Sequence, residues 1–302
     1  MERRDRGHPE THPLAQVFLF PPFRTGAARL VLGIRAVAFC LVFAFLFPRS
    51  LEWPHVGSLV VLEMALLAAI GLYHTAVLFS AANAAMLFGW SFLVSWLAEA
   101  GGVQRGWFFG GRYSYAEFLG PQLPGNVPVA VPLAWFCLCC FAVLPSRHLV
   151  AGRGWGTLKT ALLRAAAASY TICVVDLLLD PLSTRLGAWS WGLRGAYYDT
   201  PWGNYPGWLG VGMAIFSGYF LCERSWPSRA SLAGSRAYAW RAWLEGVALL
   251  ALPMVLAFAL DRGPAALLCI LFLAPVLILW SRTGAIEAEE AVGFPRPAEE
   301  NA

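Results

Sequence analysis

Long apolar runs constrain this chain more than any other feature of its sequence. Eight runs near 20 residues in length lie between residues 30 and 280, and only 13% of all 302 residues are charged, about half the roughly 25% of a soluble domain. A run that is apolar on all sides satisfies its backbone in lipid only as a helix. We therefore predict an all-α, polytopic transmembrane helix bundle. The runs are Leu30–Phe47, Val56–Ser80, Asn83–Ala98, Val127–Leu144, Ala161–Leu179, Gly207–Cys222, Leu244–Leu260 and Ala265–Trp280.

The distribution of basic residues predicts the number and direction of the spans. The second and third runs are separated only around residues 81–83, so they could be two helices or one broken helix, which would leave seven spans. With eight spans and a cytoplasmic N-terminus, most Lys and Arg residues fall in cytoplasmic segments, whereas merging the two runs divides them almost evenly between the two sides. The positive-inside rule therefore favours eight helices and two cytoplasmic termini.

The ends of the chain differ in composition from its centre. Residues 1–28 form a polar, Arg- and Pro-containing tail without the cleavage site of a removable signal peptide. Residues 29–280 form the predicted transmembrane catalytic domain, and residues 281–302 an acidic cytoplasmic tail. The net charge of +4 mostly reflects the basic residues that set the direction of the spans. We therefore expect no nucleic-acid partner. The basic residues are 21 arginines and the single lysine Lys159, and together with abundant Ala and Gly this bias indicates a high-GC bacterial genome. We therefore expect the predicted spans to lie in the cell (inner) membrane.

Two long non-cytoplasmic connections stand apart from the others. The first aromatic loop, Glu99–Asn126, and the second aromatic loop, Asp180–Pro206, greatly exceed the usual link between packed helices. Both are rich in Trp and Tyr, and both follow a helix with an acidic residue near its outer end. Their motifs match each other loosely, which allows a parallel internal repeat. The matched positions are Trp107, Tyr113, Tyr115, Gly120, Pro121, Asn126 and Pro128 with Trp189, Tyr197, Tyr198, Pro201, Asn204 and Pro206.

Acidic residues inside the spans are the first candidates for chemistry, because burying a charge in a membrane is costly. Asp176 and Asp180 are spaced i, i+4, which puts both carboxyl groups on one helix face. Two carboxyls this close in a dry site should not both ionise, so one keeps a proton and can act as a general acid. In the structural alternative, Asp180 caps the helix or pairs with Arg185 while Asp176 pairs with an arginine of another helix. Pro181 predicts the end of the helix, with Asp180 at the interface.

Glu99 and the aromatic side chains of the two loops complete the predicted site. Glu99 ends the third run on the same membrane side as the two aspartates, although a solvated interfacial residue would explain it equally well. Interfacial belts account for some of the rings, but ring faces also stabilise a cation. Acids beside aromatic rings therefore suit carbocation chemistry. The predicted substrate-binding residues are Tyr113, Tyr115, Trp189, Trp191, Tyr197, Tyr198, Asn204 and Trp208.

Cofactor and metal motifs do not occur in the sequence. It contains no phosphate-binding loop, no dinucleotide fingerprint and no His-Glu-x-x-His motif. The five histidines are too scattered for a di-iron site, and the cysteines, which lie in or beside apolar runs, are interpreted as small core residues. We therefore expect no cofactor and no metal. The cysteines are Cys40, Cys137, Cys139, Cys140, Cys173, Cys222 and Cys269.

An ordered set of motifs over roughly Val56 to Cys222 resembles the carotenoid-biosynthesis membrane-protein family, which includes carotenoid 1,2-hydratases and bisanhydrobacterioruberin hydratase. As a set the motifs are fairly specific, whereas single ones are not. They are Glu99-Ala-Gly-Gly102, Phe109-Gly-Gly-Arg-Tyr113-Ser-Tyr115, Gly120-Pro121-Gln-Leu-Pro124, Asp176-xxx-Asp180-Pro181, Trp189-Ser-Trp191, Tyr197-Tyr198-Asp-Thr-Pro201 and Asn204-Tyr-Pro-Gly207-Trp208.

The resemblance implies a cofactor-independent addition of water to the terminal 1,2 double bond of an acyclic ψ end group, of the lycopene or γ-carotene type. Asp176 or Asp180 would protonate the alkene, and Glu99 or the second aspartate would deprotonate the water. The implied partners are a carotenoid in the bilayer and other enzymes of the pathway. Two alternatives remain open: a carotenoid cyclase of the lycopene-cyclase type, which would trap the same cation internally, and a non-catalytic carotenoid- or lipid-binding protein or transporter.

Overall fold

The fold is a bundle of long apolar helices, described from a computed structural model of the chain. The structure describes residues 56–149, 157–223, 250–251 and 253–293. The predicted N-terminal tail, the first span Leu30–Phe47, Cys40 and the first part of the seventh span Leu244–Leu260 lie outside the described residues.

Six helices form the described part of the bundle, and helical residues 250–251 and 253–259 precede the last of them. By length and composition α1 to α4 can each cross a membrane, and residues 263–279 of α6 form a shorter apolar segment. The predicted helical bundle is therefore confirmed, while the direction of the termini stays a prediction. The helices are α1 (Val56–Leu78), α2 (Ala81–Arg105), α3 (Ala130–Leu149), α4 (Thr157–Leu186), α5 (Asn204–Cys222) and α6 (Gly263–Gly293).

The second and third apolar runs form two separate helices, as the charge distribution predicted. Helix α1 ends at Leu78, and Ser80 caps the start of α2 by accepting a hydrogen bond from the Asn83 backbone N–H at 3.1 Å. A serine in this position satisfies one of the backbone donors that a helix start leaves free. The short break between the runs is therefore a true helix boundary.

Helix α4 lies at the centre of the described bundle, where it packs against α3, α5 and α6. Its most extensive packing is with α5. Small residues allow this close approach, since a Cβ atom on Gly212 would lie 2.9 Å from the Ser169 hydroxyl oxygen. Close backbone approach through small residues is typical of helix packing in membranes. The packing holds the predicted acidic face of α4 against the N-terminal end of α5.

The two aromatic loops are joined by a two-stranded antiparallel ribbon. The structure shortens the first loop to residues 106–129 and the second to residues 187–203, because α2 and α4 extend further than predicted. Strands β1 and β4 pair so that Tyr113 faces Trp191 and Tyr115 faces Trp189, while β2 and β3 form a second small ribbon within the first loop. The strands are β1 (Tyr113–Tyr115), β2 (Gln122–Leu123), β3 (Val127–Pro128) and β4 (Trp189–Trp191), and a 3₁₀ turn spans Glu117–Leu119.

Two glycines allow the loops to cross. Gly110 has φ +79°, and a Cβ atom on it would lie 2.7 Å from the Cα of Gly203. A Cβ atom on Gly203 would in turn lie 2.6 Å from the Cα of Gly110. Only residues without a side chain fit this contact.

The loose internal repeat stays a prediction. Its matched positions differ in local structure, since Tyr113 and Tyr115 lie in a strand while Tyr197 lies in a β-bridged turn.

The expectation that α4 ends at Pro181 is wrong, because the helix continues to Leu186. Proline has no backbone N–H and therefore leaves the carbonyl four residues earlier without its helical donor. That carbonyl belongs to Leu177, and the Tyr197 hydroxyl donates a hydrogen bond to it at 3.0 Å. A side chain of the second aromatic loop thus replaces the missing bond. Asp180 consequently lies inside the helix and not at its end.

Two further boundaries differ from the sequence predictions. Helix α2 continues to Arg105, so Glu99 lies within a helix and is buried instead of being solvated at a helix end. Helix α6 continues to Gly293, so its backbone extends into the segment predicted as a C-terminal tail. Both helices are longer than their apolar runs because helix formation does not require every turn to be apolar.

Candidate active site

Three carboxyl groups are buried in one region of the bundle. Glu99 on α2 is 4% exposed, and Asp176 and Asp180 on α4 are each 1% exposed. Glu99 acts electrostatically on both aspartates, and Asp180 acts on Asp176. The structure thus brings together the three acids that the sequence placed on one side of the membrane.

Glu99 is surrounded by hydrogen-bond donors. The hydroxyl groups of Tyr113 and Tyr115 donate to its Oε2 atom, the latter at 2.6 Å, and the indole N–H of Trp135 donates to Oε1 at 2.8 Å. Burial and the negative charge of Glu99 raise the pKa of both tyrosines, so their phenols stay protonated. Three donors around one carboxyl are suited to its ionised form. The three donors therefore compensate part of the cost of burying a carboxylate at Glu99.

The two aspartates share a single amide donor. The Asn204 side-chain N–H group donates to Oδ2 of Asp176 at 2.7 Å and to Oδ2 of Asp180 at 3.2 Å. The Trp189 indole N–H donates to Oδ1 of Asp180. Among the described residues neither aspartate pairs with Arg185 or another arginine, and Asp180 does not cap the end of α4 because the helix continues to Leu186. An acid pair bridged by one amide is suited to sharing a proton.

The ribbon of the two loops connects the acid pair with Glu99. Its first strand supplies Tyr113 and Tyr115 to Glu99, and its second strand supplies Trp189 to Asp180. The facing rings also touch, with centroids 4.8 Å apart for Tyr113 and Trp191 and 5.9 Å apart for Tyr115 and Trp189. An aromatic wall thus lies beside the carboxyl groups.

Trp208 is connected to the carboxyl groups by Trp135, which was not among the predicted site residues. The Trp208 ring stacks on the Trp135 ring, with centroids 3.9 Å apart and an angle of 13° between the rings. Trp135 itself donates to Glu99. The sequence did not single out Trp135, because a tryptophan within an apolar run is unremarkable. An indole N–H in the middle of an apolar run needs a hydrogen-bond partner. This requirement is the signal that could have identified Trp135 as a candidate.

Tyr197 and Tyr198 contact α4 and the residue before α6, and their predicted role in substrate binding stays a prediction. The Tyr197 hydroxyl is engaged by the Leu177 carbonyl, and burial raises the pKa of this phenol. The Tyr198 ring packs against Tyr197, at 4.9 Å between centroids, and lies 4.8 Å from the Arg262 guanidinium carbon. Tyr197 therefore holds the second loop on α4, and Tyr198 contacts the start of α6 instead of the carboxyl groups.

Thr200 is a second residue near the acids that the sequence did not single out. It is fully buried at 0% exposure, and both Thr200 and Trp191 interact with the Asp180 carboxylate. Among the described residues, neither the Thr200 hydroxyl nor the Trp191 indole N–H makes a hydrogen bond of regular geometry, so their contact with Asp180 is a loose one. A lone threonine in a loop carries no spacing signal, so only the folded loop reveals its position.

The residues of the site are suited to proton transfer and charge stabilisation. In the described part of the chain, no group of three His, Cys, Asp or Glu residues is arranged to hold a metal ion. The six described cysteines are free, and Cys139, Cys173 and Cys269 are buried as predicted, whereas Cys222 is exposed. The site can therefore donate a proton from one carboxyl, hold an anion at another and present ring faces to a cation.

Comparison with known proteins defines the family. A family model described as carotenoid biosynthesis protein matches residues 56–276, which include every residue of the site. The bisanhydrobacterioruberin hydratase of Haloarcula japonica is 37% identical over 117 residues, which are 39% of this chain and 38% of that relative. No solved structure matches the chain. Because the family match covers well over half of the sequence, the chain belongs to the carotenoid biosynthesis protein family.

Proposed function

We propose that the protein adds water to the terminal 1,2 double bond of an acyclic carotenoid end group of the lycopene or γ-carotene type. The observation that carries this proposal is the grouping of three buried carboxyls, two of which share one amide, beside an aromatic wall. Acid, base and cation-stabilising groups are the minimum for hydrating an alkene without a cofactor. The family and its hydratase relative supply the substrate class.

Protonation of the alkene is the first step. Asp176 accepts one hydrogen bond, from Asn204, whereas Asp180 accepts from both Asn204 and Trp189. The carboxyl with fewer donors is the better carrier of the shared proton, because donors favour the ionised form. Asp176 therefore delivers the proton to C2, and the double-bond electrons form the new C–H bond. This leaves a tertiary cation at C1.

The cation is held by ring faces and by the Glu99 carboxylate. Desolvated ring faces stabilise a cation by about 2 kcal/mol each, and Tyr113, Trp189 and Trp191 present rings in the wall. The three donors around Glu99 favour its ionised form. A preorganised anion of this kind stabilises the charge that develops in the transition state.

Water capture completes the reaction. The oxygen of a water molecule bonds to C1, and a proton passes from that oxygen to the ionised member of the site, either the second aspartate or Glu99. The product is a tertiary alcohol. If Asp180 receives the proton, it returns it to Asp176 one helical turn away, and the pair regains its starting state. The net change is one water added per double bond, with no electron transferred to or from the protein.

The membrane setting is consistent with such a substrate. An acyclic carotenoid is about as long as the roughly 30 Å hydrocarbon core, so its end group can reach carboxyls near the aromatic loops while its chain stays in lipid. We propose a multi-pass protein of the cell membrane with cytoplasmic termini, which receives its carotenoid from the bilayer or from another enzyme of the pathway. A site at the loop end of the bundle also gives water access to the cation.

Product mass in a lycopene-producing host tests the function. We expect the wild-type gene to yield products heavier than lycopene by the mass of one or two water molecules. The Asp176→Asn variant should yield none, whereas Glu63→Gln, which changes another buried carboxyl on α1, should keep activity. A product of unchanged mass with fewer conjugated double bonds would instead indicate a cyclase, and unchanged pigment despite normal protein levels would indicate a non-catalytic binding protein. Either outcome contradicts the proposal.

A further inference from the structure

Three of the five described non-glycine residues with a positive φ lie close together, in the second aromatic loop and just before α6. Tyr198 has φ +51°, Asp199 has φ +69° and Asp261 has φ +59°. This left-handed backbone is unfavourable for a residue with a side chain. Such residues persist where surrounding contacts fix them, and they concentrate at functional sites. Their grouping therefore marks this region as a candidate for a functional role.

Residues 197–200 form a tight β-turn. The Thr200 backbone N–H donates to the Tyr197 carbonyl at 2.9 Å, and both central residues have positive φ, as in a type I′ turn. Asn and Gly are the usual residues at these two positions, whereas this chain has Tyr198 and Asp199 there. The turn is therefore held in an unfavourable backbone conformation by contacts with the rest of the fold.

The turn lies between two contacts with the acid-bearing part of α4. On its first side the Tyr197 hydroxyl donates to a backbone carbonyl of α4. Four residues beyond its last residue, Asn204 donates to both Asp176 and Asp180. The Asn204 backbone N–H also donates to the Pro201 carbonyl at 3.0 Å, which stiffens the short link between them. A shift of the turn is therefore transmitted to the amide that the two aspartates share.

A contact with Arg262 holds the side chain of Tyr198. The guanidinium carbon of Arg262 lies 4.8 Å from the centre of the Tyr198 ring, within the range of a cation–π contact. Arg262 is itself fixed, because its backbone N–H donates to the Ala257 carbonyl across the left-handed Asp261, as in the cap at the C-terminal end of a helix. The junction before α6 therefore presents a fixed cation to the turn.

We propose that Arg262 and Tyr198 are positioning residues that hold the turn, and through it Asn204, against the acid pair. The inference rests on the proposed hydration and adds the junction before α6 to the groups that control it. The two side chains act on proton transfer through the amide that the aspartates share. Loss of their contact therefore lowers the rate of protonation and leaves carotenoid binding unchanged.

Steady-state kinetics of the full chain in membranes of varied lycopene content test this inference. Arg262→Gln removes the cation, and we expect kcat for the hydrated product to fall by about tenfold at unchanged KM. A displacement of about 1 Å lowers a rate by about a hundredfold, and the other contacts of the turn limit the shift. Arg105→Gln is the matched control and should change neither constant, because Arg105 stacks on Trp107 at 4.5 Å and not on this turn.

Two substitutions of Tyr198 separate the role of its ring from that of its backbone. Tyr198→Asn removes the ring but suits a left-handed backbone, so we expect the same loss of kcat with little change in thermal stability. Tyr198→Phe keeps the ring and should restore kcat. The double variant Arg262→Gln, Tyr198→Asn should lose no more than either single variant, since both remove one contact. Tyr198→Asn also tests the contact if Arg262→Gln does not accumulate.

A kcat within about twofold of the wild type in both Arg262→Gln and Tyr198→Asn would overturn the inference. A raised KM at unchanged kcat would also overturn it and would indicate that the Tyr198 ring binds the carotenoid. An equal loss of kcat in Arg105→Gln would assign the effect to general destabilisation and overturn it as well. A failure of the proposed function differs from these results, because the wild type then forms no hydrated product, and the inference falls with it.

Discussion

The Glu99 side of the site and the aspartate side contain the same functional group in opposite surroundings. Glu99 on α2 accepts three hydrogen bonds from phenol and indole groups. Asp176 on α4 accepts one, from an amide that it shares with Asp180. Several donors favour the ionised form of a carboxylate, whereas a close pair of carboxyls with few donors favours a shared proton. The comparison shows how one kind of side chain can provide an anion in one place and an acid in another.

The largest expected effect is the loss of the acid. Asp176→Asn cannot donate a proton to the alkene, so we expect the rate of product formation to fall by about 10²–10⁴-fold. Pigment extraction and mass spectrometry at matched protein levels measure this loss. Retained activity in an Asp176→Asn, Asp180→Asn double variant would refute the acid role of the pair.

Glu99→Gln should have the next largest effect. The amide removes the negative charge, and its NH₂ group faces donors where an acceptor is required. We expect a rate loss of about 10²–10³-fold, the range seen when one preorganised electrostatic group is removed, with lower thermal stability because buried donors lose their partner. Initial rates and a thermal melt of the detergent-solubilised protein separate the two effects. A rate near that of the wild type would show that the anion is not needed.

Removing one hydrogen-bond donor to Glu99 should lower the reaction rate less than removing the negative charge of Glu99 itself. Tyr115→Phe deletes a 2.6 Å hydrogen bond but leaves those from Tyr113 and Trp135. A hydrogen bond to a charged group contributes about 1.5–3 kcal/mol, so we expect a rate loss of at least about tenfold. Tyr73→Phe, on α1, is a control for the loss of a phenol. A loss as large as that of Glu99→Gln would mean that the donors do not act independently.

The smallest effect concerns the hydrogen bond that replaces the helical one at Pro181. Tyr197→Phe leaves the Leu177 carbonyl without its donor, which should cost about 1 kcal/mol of stability. In a Pro181→Ala background the restored backbone N–H can bond that carbonyl, so Tyr197→Phe should then cost less. Thermal melts of the two single variants and the double variant form a double-mutant cycle. Additive effects would contradict the proposed replacement.

Much of the fold and part of the site could be predicted from local sequence patterns. Apolar runs and basic residues indicate the helices and the break at Ser80, because lipid requires each span to satisfy its own backbone. The spacing of Asp176 and Asp180 places them on one helix face regardless of the rest of the chain. The end of α4 could not be predicted, since it depends on Tyr197, which arrives from a loop twenty residues later.

The sequence alone determined that this chain forms a helical bundle, carries a few costly acids and joins its helices by two aromatic loops. Only the tertiary structure decided which ring meets which carboxyl, because β1 and β4 pair across 76 residues, as Ser114 and Ser190 show. The same pairing places Trp191 beside Asp180, and helix packing brings Trp135 to Glu99. Helix formation is local and leaves a periodic signal, whereas hydrogen bonds between distant segments leave none until the segments are in contact.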